Sequence, residues 1–161
     1  ADMLFFLHTA DVQRPVRPDE RDRIGDKKRP FQLPEIMKYV IHYADGGQVE
    51  VPVVLERHIG HWLSGAPEPL THAQVAAVVR VPNLDGLGDH PLRRMLFSSF
   101  LPDWSTRPVP DKEDVRGVLY GMQARNPRPE VAIERIDVVP GRDRSRAVPA
   151  VLAITLGQVV E

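Results

Sequence analysis

The chain has 161 residues, within the size range of one domain, with 42% hydrophobic and 27% charged residues and a formal net charge of -1. That balance is neither disordered nor membrane-spanning, and it offers no basic field for nucleic acid or anionic lipid. Cysteine is absent, which excludes disulfides, thiolate metal sites and a cysteine nucleophile.

Reading along the chain, Met3-Leu4-Phe5-Phe6-Leu7-His8 is a strand-like start without the charged head and small-residue cleavage site of a signal peptide. An opening inside a strand leads us to expect a piece of a longer protein. Residues 11–34 are polar, charged and proline-bearing, and read as a long loop. Lys27-Lys28-Arg29 within it, and Arg142 to Arg146 later, are read as solvated loop charge, diluted by acidic neighbours.

The clearest element is a hairpin. Glu35 to Ala44 is rich in β-branched and aromatic residues, Asp45-Gly46-Gly47 signals a turn, and Gln48 to Leu55 alternates apolar with polar positions. Pro52 has no amide proton to donate, so the returning strand is expected at a sheet edge or at a bulge. Residues 82–114 read as an insertion with a short helix over His90 to Leu101. Further strands are expected over Arg116 to Ala124, Val131 to Val139 and Val148 to Leu156. Val118, Tyr120 and Met122 should share a face, Asn126-Pro127-Arg128-Pro129 is a rigid turn, and Pro140 to Arg146 is a polar loop. Sixteen prolines argue against long helices. The expectation is one all-β antiparallel sandwich over residues 1–161, with six or so strands and one short helix in the insertion.

Residues that could carry chemistry are few. His58-Ile59-Gly60-His61 spells the nucleotide-binding tetrapeptide of class I aminoacyl-tRNA synthetases, but no βαβ pattern follows it. The same two histidines are too few for a metal centre, which wants three or four protein ligands. No carboxylate pair, phosphate loop or nucleophile elbow stands out. No catalytic residue, metal or cofactor is therefore assigned. Trp62 reads either as a plug at the end of the sandwich or as a ligand-stacking ring, and Trp104 sits in an exposed turn context. With Tyr120 and Arg116 they form the candidate ligand-binding set, since sugar sites place flat rings beside hydrogen-bonding groups.

Taken in order, several stretches resemble a galactose-binding-like jelly-roll domain of the kind that accompanies catalytic domains in bacterial multidomain carbohydrate-active proteins. They are Leu4 to Ala10, Tyr39 to Gly46, Val51 to Val54 with Ile59 and Trp62, Asn126 to Pro129, Ile133 to Val139 and Val151 to Thr155. The family has further strands ahead of the first segment, often has acidic residues where His58 and His61 stand, and mostly lacks so long an insertion. The resemblance implies a non-catalytic accessory module, extracellular or periplasmic, that binds a polysaccharide or glycan. It implies no nucleic acid and no membrane. Two other roles are expected alternatives: a structural domain packing on a catalytic partner, and a metal-dependent enzyme on a sandwich or cupin-like barrel using His58 and His61.

Overall fold

The computed structural model describes residues 1–64, 68–80 and 116–158, with only the backbone of residues 79 and 80. Eight strands occur among the described residues: β1 Met3–Val12, β2 Glu35–Tyr43, β3 Gln48–Val54, β4 Leu63–Ser64, β5 Ala73–Arg80, β6 Arg116–Arg125, β7 Ile133–Pro140 and β8 Ala147–Gly157. One four-residue helix, α1 (Pro18–Arg21), interrupts the first long loop. The strands form two antiparallel sheets, one of five strands and one of three, so the expected all-β sandwich is what the chain adopts.

The larger sheet is built on β1 and β6. β1 pairs β8 on one side and β6 on the other. β6 pairs β5 along residues 116–122 and β4 at Arg116 and Gly117. The smaller sheet has the order β3-β2-β7. Pro52 thus lies in an edge strand, where its missing donor costs no ladder bond. Period-two alternation sends Leu4, Phe6 and His8 of β1, and Val118, Tyr120 and Met122 of β6, into the interior. There they meet Ile36, Tyr39, Ile41 and Tyr43 of the smaller sheet, and the Phe6 and Tyr39 rings stack with centroids 4.0 Å apart.

The two ends of the sandwich are closed differently. At one end the β2–β3 turn has Gly46 at φ +84°, a conformation glycine adopts without steric cost. Asp45 of this turn accepts the Gly47 amide proton and pairs with the Arg128 guanidinium, which lies over the Tyr43 ring. The side chain of Asn126, itself buried, accepts from the Tyr43 hydroxyl at 2.5 Å and donates to the Ala1 carbonyl at 2.6 Å. These bonds hold the Asn126 to Pro129 turn against the hairpin.

At the other end, the polar stretch 11–34 is tied down rather than free. Buried Glu20 of α1 receives two bonds from Arg146, at 2.6 and 3.0 Å. The Arg146 carbonyl in turn accepts the Gln13 and Arg14 amide protons. Residues 144–146 form a single 3-10 turn within the expected polar loop before β8.

One flank remains open. Ile154 and Leu156 of β8 pair with core-facing Phe6 and Leu4, yet are 36% and 49% exposed. Val138 of β7 pairs with buried Tyr39 and is 47% exposed. The smaller sheet is too narrow to cover the β8 side of the larger one. The expected insertion 82–114, with its helix, lies outside the described residues.

Candidate functional site

The outer face of the five-stranded sheet carries a shallow trough of about 300 Å³. Strand register explains its make-up. One cross-strand row runs Thr155, Phe5, Gln123 over β8, β1 and β6. The next runs Ala153, Leu7, Gly121, Gln74 over β8, β1, β6 and β5. All seven point away from the core because their chain neighbours Leu4, Phe6, Met122 and Ala73 point into it.

Small residues make the depression. Gly121 has no side chain to fill the middle of its row, and a Cβ there would stand 3.3 Å from the Ala76 methyl. Ala76 is the extra residue of a bulge between Val75 and Ala77, which brings it against Gly121. Phe5 is 39% exposed and forms the aromatic wall. Its ring leans over β8 at Gly157, where an added Cβ would lie 2.8 Å from the ring edge. The Gln74, Gln123 and Thr155 side chains make no hydrogen bond to the other described residues and are free to bond a ligand. Among the described residues no charged side chain lines the trough. Its chemistry is therefore one apolar ring, two carboxamides and a hydroxyl.

The residues proposed from sequence are elsewhere. Tyr120 is 5% exposed, with its ring directly under Gly60, so it packs the core and presents no face to solvent. Trp62 is half-buried just before β4. Its amide donates to the Ala10 carbonyl at 2.8 Å, and its carbonyl accepts from Val118 at 2.7 Å. Arg116 is exposed at the start of β6, opposite Ser64. The β4–β6 pairing brings Trp62 and Arg116 to the same end of the sheet, away from the trough. Trp104 lies outside the described residues.

His58 and His61 do not converge on an ion site. His58 Nδ1 accepts the Val54 amide proton at 3.1 Å, and His61 Nδ1 accepts that of Val12 at 3.2 Å. Among the described residues no three metal-ligating side chains gather.

Phe5, Gln74 and Thr155 escaped the sequence reading, which reached only Gln123, as a possible polar contact for a sugar. Alternation alone marks Phe5 as opposite to Leu4 and Phe6, but only the register of four strands shows that these side chains share a patch. No known protein family, curated protein or solved structure matches the chain.

Proposed function

We propose that the chain is a non-catalytic carbohydrate-binding module of the galactose-binding-like, jelly-roll type, working outside the cytoplasm beside a catalytic partner. The observation that carries the reading is the uncharged trough in which the exposed Phe5 ring stands between Gln123 and Thr155. A pyranose presents an apolar C–H face and a rim of hydroxyls. The ring matches the first by stacking, and the free carboxamides match the second by hydrogen bonds. A rigid sheet holds these groups in place, so little ordering cost falls on binding. The trough is shallow and desolvates little area, which sets the expected affinity at about 10–1,000 μM.

The test is isothermal calorimetry against a panel of soluble polysaccharides, with Phe5→Ala as the comparison. Binding by the native chain, weakened about tenfold by Phe5→Ala, supports the proposal. Silence across the panel, or binding untouched by Phe5→Ala and by Gln123→Ala, overturns it.

A second reading, a structural domain that packs on a neighbouring protein, draws on the open flank. Val138, Ile154 and Leu156 there turn toward the core side yet stay exposed. Apolar patches left in this way mark protein contacts. Under this reading the polysaccharide panel stays silent, and introducing a charge with Leu156→Lys abolishes association with the partner.

A further inference from the structure

β8 is an outer strand of the five-stranded sheet. Its residues Ala147–Gly157 pair with β1 along one side, and no strand among the described residues pairs with the other. Unpaired amides and carbonyls along a sheet edge are a template for a further strand, and edges are blunted by charge, proline or a bulge. The first half of β8 has two of these devices. Pro149 lacks an amide proton, and Leu152 is the extra residue of a bulge opposite Leu7 and His8. The second half has none. Past the bulge the strand carries no charge and no proline, and its pairing with β1 is regular.

The side chains add to this. Leu156 and Ile154 pair with the buried Leu4 and Phe6, so they turn to the core side, yet they stay exposed. Leu152 at the bulge is 52% exposed. The strip is apolar, and the three-stranded sheet does not cover it.

What fits the strip follows from its order of residues. Leu152-Ala153-Ile154-Thr155-Leu156 reads large, small, large, small, large in either direction about Ile154. A contact across a two-fold axis needs a surface complementary to itself, and this pattern provides one. With Ile154 on the axis, an antiparallel second copy sets Leu152 opposite Leu156 and Ala153 opposite Thr155, each twice. Six large apolar side chains then lie together at a cross-strand spacing of about 5 Å. Charge agrees with a second copy as the occupant. Self-pairing brings no like charges together, whereas a charged partner strand would find no counter-charge on β8.

We propose that β8 pairs antiparallel with β8 of a second copy about Ile154, joining two five-stranded sheets into one of ten. The inference rests on the reading of the open flank as a protein contact and names its occupant. The contact is small: five residues a side fall short of the roughly 1,200 Å² of a standard interface, so the dimer is weak, with a Kd of about 10 μM to 1 mM. Pairing also carries the outer row Thr155, Phe5, Gln123 on into the second copy, so two troughs share one face.

Sedimentation equilibrium of the whole chain, from about 5 μM to about 1 mM, tests this. The native chain should pass from monomer to dimer. Leu152→Lys and Leu156→Lys should each raise Kd at least tenfold. In the double variant Leu152→Lys/Leu156→Glu, opposite charges face each other only in the register centred on Ile154, and at least fivefold of that loss should return. A native chain that stays monomeric overturns the proposal and leaves the flank reading open to a different partner. A dimer indifferent to both single lysines overturns it, as does a double variant no tighter than the single ones. Should the variants fail to fold, amide NMR shifts of the native chain on dilution decide. Changes centred on Ala153 to Leu156 uphold the pairing, and changes only elsewhere, or none, overturn it.

Discussion

At the scale of single residues, two kinds of group decide the local structure: those with nowhere else to go and those whose partners lie far along the chain. Gly60 is of the first kind. A Cβ at this position would lie 2.7 Å from both Cζ and the hydroxyl oxygen of Tyr120. That ring is buried and cannot swing aside. Gly60→Ala is therefore expected to destabilise by about 1–3 kcal/mol, read as a lower urea midpoint at unchanged m-value. Combining it with Tyr120→Leu should cost less than the two changes summed, because the smaller side chain relieves the clash. Asn126 is of the second kind. Its short polar side chain was legible only as part of a Pro-rich turn, whereas in the fold it satisfies the Tyr43 hydroxyl and the first carbonyl of the chain. Nothing in the sequence distinguishes it from an exposed turn asparagine. Beside its local bonds to Arg128, it reaches partners 83 and 125 positions away.

Elements were legible in proportion to how cleanly they alternate. The hairpin Glu35 to Leu55 was readable because β-branched positions alternate up to a glycine turn. The structure pairs Tyr39 with Val51 and Ile41 with Val49, as that pattern requires. Gly46 stands at φ +84° with open space around its α-carbon, so the cost of a side chain there is backbone strain alone. Gly46→Ala should lose about 1 kcal/mol in urea unfolding, and Gly46→Asn clearly less, since asparagine tolerates the left-handed region. β5 went unread. Its sequence Ala73 to Arg80 is alanine-rich, and the bulge at Ala76 shifts the inward set by one residue, which cancels the period-two signal. β4 has only two residues, too few to show any period. Edges show the same logic: β3 and β7 carry Glu50, Pro52, Glu134, Arg135 and Asp137, while β8 holds no charge.

For the molecule as a whole, the end bearing loop 11–34 is the acid-sensitive one. His58 is held at about 4 when folded, against 6.5 when exposed, so the unfolded chain binds more protons between those values. Its contribution is complete above pH 6.5 and is lost as pH falls through 4, amounting to about 2 kcal/mol after allowance for partial exposure. Glu20 is held at about 2, chiefly by its Arg146 bonds working against burial. Its contribution, about 3 kcal/mol, is complete above 4.5 and is lost as pH falls toward 2. Urea unfolding between pH 7.5 and 2.5 should therefore show two successive declines. His58→Asn should flatten the upper one and Glu20→Gln the lower. A single decline unaffected by either variant would contradict this account of the end of the sandwich. No helix among the described residues is long and apolar enough to cross a membrane.

The order of residues by itself determined that the chain is an all-β sandwich, where its hairpin turns, that Pro52 sits at an edge or a bulge, and that Val118, Tyr120 and Met122 share a face. Each of these follows from the alternation of side chains along a strand or from the torsional limits of glycine and proline, and both are properties of neighbours in the chain. Tertiary structure alone decided the trough around Phe5 and the depressed proton affinity of the His58 ring. A patch spread over four strands depends on register, and the protonation of a ring depends on which distant groups surround and desolvate it.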